Sequence, residues 1–353
     1  MNKPYLLYTL HSGNLYGTEK MALITLQNLT EHFEPILFCP PGPIIEYAAT
    51  LTITTHQFLN PRQLAQQLRH YLALQKPLAF MSTALTHSLL FIGLNLYYRT
   101  SNIHLHMVHG GTDEKESYAR KKWLNHFSVQ FIAVSSFVRE RLLAHHVRKE
   151  QITVINNFLS NQEIKNFPQR PPFTSKGIQN IIIISRIDPI KRVDLILDML
   201  DKYPALSSLN IKVYGTGWEF EQLQQRAIKM HHNVKFMGFS SAIQKSLIQA
   251  DLLLHLCPQE PFGLVFLEAM AACVPVLAPN KGGAAIVIKA NINGFHFNAN
   301  DIDDLAQQLL ALQQISASKL NHLVKQAHHI LLDEFSARAR IPDYQQLLQK
   351  DKK

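Results

Sequence analysis

Apolar residues fall in short blocks separated by longer amphipathic stretches, and the two alternate along most of the chain. Residues 4–10 are a short apolar run, and 18–31 show helical spacing after a Gly-containing loop. PILFCP reads as a second strand, 61–74 as a helix, AFMST as a strand and 84–98 as a helix. IHLHMV is a strand ending at His109-Gly110-Gly111. It is followed by a basic helix over 114–127, the strand FIAVS, a helix over 136–146 and the strand ITVINN. The stretch NQEIKNFPQRPPFTSKG then breaks the pattern. It is polar and Pro-rich, has no periodicity, and reads as an interdomain linker.

The alternation restarts at QNIIIIS, apolar on both faces as a central parallel strand requires. Helix 191–201, strand IKVYG, helix 218–230, strand VKFMG, helix 240–249 and strand LLLHL follow. Then come helix 262–273, strand VPVLA, a glycine turn and the strand-like GFHF, with helices over 301–314 and 317–333. Strand–helix alternation of this kind predicts an α/β protein of two doubly wound, Rossmann-like parallel-sheet domains with a cleft between them.

Composition narrows the picture. The 353 residues suffice for two domains, and 46% hydrophobic against 17% charged residues exclude a disordered chain. Residues 77–98 are apolar but follow Pro77 and are interrupted by His87 and Asn95, which favours a strand plus a buried helix over a membrane span. The net charge of +9 leans to the N-terminal part, with 16 Lys+Arg against 10 Asp+Glu over residues 1–172 and 19 against 16 beyond. Such an excess suits an anionic membrane surface or a phosphorylated ligand. No nucleic-acid-binding module signature accompanies it, and nucleic acid is not expected as a partner. Cys39, Cys257 and Cys273 show no paired spacing and point to a reduced, cytoplasmic protein. In YARKKWLNHF, Arg120, Lys121 and Lys122 stand beside Trp123 and Phe127, so the helix could lie against anionic lipid, although an ordinary half-exposed helix has the same composition.

The candidate chemistry concentrates in EPFGLVFLE, where Glu260 and Glu268 are separated by seven residues and the second lies in an apolar helical run. A helix starting near Phe262 directs unpaired N–H groups and partial positive charge at whatever precedes it, which suits a phosphate. Carboxylates on either side can accept hydrogen bonds from hydroxyls. Phosphate plus polyol describes a nucleotide sugar, although two carboxylates alone would equally describe an acid–base pair. Arg186 and Lys191, after the strand IIIIS, are cations placed where a diphosphate could be neutralised; a solvated turn with surface charges is the plain alternative. Gly215 after IKVY and Gly17 in HSGNLYGTEK mark places where a ligand could approach backbone. GTGWEF lacks the third glycine of a dinucleotide fingerprint, and no P-loop occurs. His104, His106 and His109 could share a metal by strand alternation, but no carboxylate or thiol joins them and no metal site is expected. His109 alone, before two glycines at a strand end, is the better candidate.

Taken together, these residues resemble the retaining family-4 glycosyltransferases of the GT-B fold. The resemblance is most specific over 181–297, in ISRIDPIKRVDLIL, VYGTGWEFEQL, VKFMGF, EPFGLVFLEAMAACVPVLA and NGFHF, which occur in the family's order. It implies that Arg186 and Lys191 hold the donor diphosphate, that Glu260 contacts the transferred sugar and that Glu268 holds the ribose. Phe262, Gly263 and Leu264 match the backbone that meets sugar or phosphate, Gly238 and Phe239 the segment beside the base, Gly17 the loop under the diphosphate, and His109 the histidine near the sugar.

The implied domains are 1–172 on the acceptor side, 173–335 for the donor and a helix over 336–353 crossing back. The implied reaction transfers a hexosyl unit from a UDP- or GDP-sugar, with configuration retained and without metal or other cofactor, to a glycan or lipid-linked acceptor in envelope or polysaccharide synthesis. A cytoplasmic site, peripheral to the inner face of the membrane, fits that role. The chain departs from the family at Tyr16 and Cys273, where glycine is frequent, and at Ile286, where Glu is common. Ile286 is the hint for a second reading, a non-catalytic nucleotide-sugar binder; a GT-B phosphorylase or epimerase is a third.

Overall fold

A computed structural model describes residues 3–349 except Thr112 and Ser241. The chain divides into two units, Asn161–Ser336 forming one and the residues on either side forming the other.

In the first unit seven parallel strands form one sheet: β1 (Tyr5–Thr9), β2 (Glu34–Cys39), β3 (Thr54–Gln57), β4 (Leu78–Ser82), β5 (Ile103–Val108), β6 (Gln130–Ala133) and β7 (Ile152–Val154). Their order is β3-β2-β1-β4-β5-β6-β7, so the winding reverses between β1 and β4. The helix Pro61–Ala73 puts Leu64, Leu68, Tyr71 and Leu72 against Leu7, Ile36, Phe38 and Phe80 in one buried cluster, and Asn60 caps it by accepting from Gln63 N at 3.0 Å. His104 lies edge-on to Phe80 and Phe91, which are stacked at 3.9 Å. Its Nε2 meets Ser88 Oγ at 2.9 Å, and His106 Nδ1 meets the same hydroxyl at 2.8 Å. The two histidines do share a strand face, and one serine engages both. The helix Ala337–Leu348 belongs to this unit, with Tyr344 buried beside Phe158.

The second unit holds six parallel strands: β8 (Asn180–Ile184), β9 (Asn210–Tyr214), β10 (Val234–Gly238), β11 (Leu252–Leu254), β12 (Val276–Pro279) and β13 (Phe295–Phe297). Their order is β10-β9-β8-β11-β12-β13, and here the winding reverses between β8 and β11. Ile181, Ile183, Val213, Leu252 and Leu277 pack with Leu195, Leu197, Leu305 and Leu309 from covering helices. Reversal points of this kind open a crevice at the carboxyl ends of the strands, where doubly wound sheets take their ligands.

Two local expectations fail. The segment read as a linker is part of the second unit: Ile164 and Phe167 are buried, and Arg170 donates from its backbone to Ala272 O at 2.8 Å. The Arg170 guanidinium binds Asp251 at 2.6 Å and lies over the Phe173 ring at 3.5 Å. The expected basic helix over 114–127 is a single turn, Glu114–Ser117, followed by the 3-10 segment Ala119–His126. Arg120 is paired with Glu116 and Lys121 is buried, so of the three cations only Lys122 is exposed and unpaired, beside the 53% exposed Trp123. Among the described residues no helix is long and apolar enough to cross a membrane.

Candidate active site

The second unit brings its candidate residues to the reversal point of its sheet. After β8 the chain turns through Arg186 and Asp188 into a short 3-10 turn, Pro189–Lys191. After β11 it runs through His255, Cys257 and Glu260 to the helix Leu264–Ala271. Since β8 pairs with β11, the two loops leave the sheet side by side. Lys191 Nζ meets Glu260 Oε2 at 2.7 Å, both side chains about 15% exposed. His255 Nε2 lies 3.3 Å from the same oxygen, off the direction of a hydrogen bond.

Burial alone would raise the Glu260 carboxyl. Lys191, then His255, outweigh it and hold Glu260 well below the usual carboxylate range. Burial likewise pulls Lys191 down, and Glu260 more than compensates, so the ammonium stays protonated. The site therefore carries a charged pair with little access to water. An ammonium so placed can be shared between a carboxylate and an incoming phosphate oxygen.

The surrounding backbone is close-packed. Gly215 follows β9 at φ 132°, and its N–H donates to Gly238 O at 2.9 Å. A Cβ on Gly215 would stand 1.8 Å from Ser185 O, so the turn beneath Arg186 admits no side chain. Gly283 N donates to Glu260 O at 2.6 Å and fixes the loop carrying the carboxylate. Gly263, at φ 87°, precedes Leu264, the first residue of the helix, and Glu268 lies one turn on, half-buried. Phe262 is buried with its ring against Phe335 at 5.9 Å, so only its backbone is available to a ligand. Phe239 is 74% exposed beside Gly238. Arg186, also mostly exposed, is held by Asp188 at 3.0 Å rather than by Glu260.

His109 and Gly17 belong to the first unit. Gly17 begins the helix Gly17–Asn28, and Glu19 Oε2 accepts from Tyr16 N at 3.1 Å. His109 directly follows β5, with Nε2 buried and without a hydrogen-bond partner. Burial, then His11, pushes the ring down to about 4, so it is neutral at physiological pH. Sequence patterning passed over His255, because it follows an apolar strand and looks like a core residue. Among the described residues His255, Cys257 and Glu260 also form the cluster of donor atoms closest to a metal-ligand set, within 4.8 Å of one another. Lys191 on Glu260 puts a cation beside that set, which disfavours a metal ion there.

Residues 166–329 match the model of glycosyl transferases group 1. The match covers just under half of the chain, and over it the chain is similar to that family. The chain is 28% identical over 174 residues to N-acetyl-alpha-D-glucosaminyl L-malate synthase of Bacillus anthracis, covering 48% of this chain and 45% of that protein. It is 26% identical over 187 residues to lipopolysaccharide 1,6-galactosyltransferase of Salmonella typhimurium, covering 50% of each. The chain spans about half the length of the curated relatives it matches. Among solved structures, Anabaena Alr3699/HepE in complex with UDP and glucose superposes with a TM-score of 0.82 at 18% identity, over 99% of this chain and 100% of that one. The apo lipopolysaccharide outer core galactosyltransferase WaaB gives 0.72 at 18% identity, over 98% and 99%. The fold is thus GT-B, two Rossmann-like parallel-sheet units in one chain.

Proposed function

We propose that the protein is a retaining glycosyltransferase that moves a hexosyl unit from a UDP- or GDP-sugar to a glycan or lipid-linked acceptor of the cell envelope. The observation that carries this reading is the buried Lys191–Glu260 pair at the β8/β11 reversal point, beside the start of Leu264–Ala271. Lys191 is placed to neutralise the departing diphosphate together with Arg186 and the helix start. Glu260 accepts hydroxyl hydrogen bonds from the sugar, and Glu268, farther along the helix, holds the ribose. Gly215, Gly238 and Phe239 border the nucleoside, and Phe262, Gly263 and Leu264 offer backbone. For His109 and Gly17, which belong to the first unit, roles toward the sugar and the diphosphate rest on the family resemblance alone.

UDP is the favoured nucleotide, because the neighbour Alr3699/HepE is described with UDP, UDP-glucose and glucose. The envelope role leans on relatives named for poly(ribitol-phosphate) and lipopolysaccharide transfer. Chemistry without a metal fits a site whose phosphate-facing charge comes from Lys191 and Arg186. A peripheral membrane contact through Lys122 and exposed Trp123 accompanies the reading.

The test is a thermal-shift screen of the whole chain against UDP- and GDP-sugars. Release of nucleotide diphosphate with candidate acceptors is then followed for wild type and Lys191→Met. A cognate nucleotide sugar raises the Tm, and Lys191→Met weakens its binding by about 10–100-fold, as expected when a charge-assisted hydrogen bond is removed. Unchanged affinity and turnover in Lys191→Met would refute the assignment.

A further inference from the structure

His255 directly follows β11 and extends its pairing with β12, its backbone N–H donating to Leu277 O at 2.9 Å. The imidazole is 4% exposed and stands edge-on to Phe266 of the helix Leu264–Ala271, with ring centroids 4.9 Å apart and planes at 86°. Strand and helix therefore fix the ring from two sides. Its Nε2 is buried and makes no hydrogen bond. That nitrogen nevertheless lies 3.3 Å from Glu260 Oε2, the oxygen that Lys191 Nζ holds at 2.7 Å. Two nitrogens thus converge on one buried carboxylate oxygen, and only one of them is engaged.

A buried imidazole nitrogen left without a partner costs free energy, and native structures seldom leave one so. Phenylalanine would make the same edge-on contact with Phe266 at no such cost, so packing does not account for a histidine here. The arrangement acquires a use when Lys191 is engaged elsewhere. A lysine drawn to a phosphate oxygen loosens its hold on Oε2, and a buried carboxylate deprived of its cation is strongly disfavoured. A neutral imidazole carrying its proton on Nε2 can donate to that oxygen after a small turn of the carboxylate, since the separation is already close to hydrogen-bond length.

We propose that His255 is a positioning residue that takes over Glu260 Oε2 when Lys191 turns to the donor's diphosphate, keeping the carboxylate ionised and aimed at the sugar. The proposal rests on the transferase reading for the phosphate that draws Lys191 away. The exchange itself belongs to the three side chains and can be tested without substrate.

His255→Phe keeps an aromatic ring and removes the N–H, whereas His255→Gln returns a donor at about the reach of Nε2. Each is made in the whole chain with and without Lys191→Met, and thermal melts at pH 7 are compared. With Lys191 present, His255→Phe melts within about 2 °C of wild type, because the bond it removes is not yet made. In the Lys191→Met background His255 is the donor left to Glu260. There His255→Phe lowers the Tm by a further ~4 °C or more, and His255→Gln does not. Lys191→Met alone remains destabilised, since a neutral N–H replaces a bond and not a charge.

Calorimetric titration supplies the second readout, with the nucleoside diphosphate selected by the thermal-shift screen and with its nucleoside. His255→Phe weakens the diphosphate about tenfold, leaves the nucleoside within about twofold, and His255→Gln restores the loss. An equal Tm cost of His255→Phe in both Lys191 backgrounds overturns the proposal. So does an equal loss of diphosphate and nucleoside, or a His255→Gln variant no better than His255→Phe. Unchanged nucleotide affinity in Lys191→Met bears on the transferase assignment, while the melts still decide the exchange.

Discussion

Removing one member of the Lys191–Glu260 pair strands the other in a site from which water is largely excluded. The pair is direct at 2.7 Å with both side chains about 15% exposed, so the penalty belongs to the buried class, about 3–5 kcal/mol, rather than the surface class of at most about 1 kcal/mol. For a unit of this size 1 kcal/mol moves the Tm by about 2–4 °C, so Lys191→Met and Glu260→Gln each lower the melting temperature of the second unit by roughly 6–20 °C. The double variant Lys191→Met/Glu260→Gln leaves no charge behind and returns to within about 1 kcal/mol of wild type, so the cycle is strongly non-additive.

The pH dependence has a fixed sign. Glu260 is depressed on folding, so its contribution is present above the unfolded carboxylate value and fades as pH falls through the lower folded value. Lys191 is raised, so its contribution is full below the unfolded lysine value and is lost as pH climbs through the folded one. The singles and the double should therefore differ most between about pH 5 and pH 10. Circular dichroism melts of the four proteins across that range decide it. Single variants within 1–2 °C of wild type, or a double variant as unstable as the two losses summed, would refute the reasoning.

Three further outcomes follow from other sites. His87 and His109 are pushed to about 4 and His104 to about 3, so the unfolded chain takes up protons first, and each costs about 2 kcal/mol of stability at pH 5 relative to neutral pH; melts at pH 7 and pH 5 should show this as early acid loss. Ser88→Ala deprives His104 Nε2 of its partner and His106 Nδ1 of one of its two hydroxyls, so urea unfolding should register about 1–3 kcal/mol of destabilisation; no change would mean the rings find other partners. Cys273 closes the helix Leu264–Ala271 at φ 57°, with Val274 N donating to Ala269 O at 2.9 Å, so Cys273→Gly relieves left-handed strain and should stabilise by about 0.5–1 kcal/mol in chemical denaturation.

Strand–helix alternation made the two sheets legible, because central parallel strands such as β8 are apolar on both faces and cannot be mistaken for solvated segments. The edge strand β3 escaped notice: Thr54–Gln57 carries no hydrophobic residue, and β2 beside it supplies the pairing that its own pattern does not announce. The linker expectation failed for a similar reason. Composition reports flexibility, but Arg170 reaches Asp251 from 81 residues away, and no local pattern encodes that bond. In the site, Lys191 and Glu260 were legible as charges beside strand ends. Their direct contact was not, since they are 69 residues apart and only the β8–β11 pairing joins their loops. The helix over 114–127 misled because its three cations read as one face, whereas the 3-10 geometry turns Lys121 inward and leaves Lys122 outside.

The helix Ala337–Leu348 makes the first unit discontinuous in the chain, whereas Asn161–Ser336 is one uninterrupted segment. During synthesis the second unit has all its residues before the first has its last helix. The unit that begins the chain is therefore the later one to be completed, a reversal of the usual order in which domains fold as they emerge. Until then the faces that bury Ile341 and Tyr344 stay uncovered. The same asymmetry decides how the protein can be dissected: a single excision at residues 161–336 yields a continuous domain, while the other unit needs its two pieces rejoined before it can be studied alone.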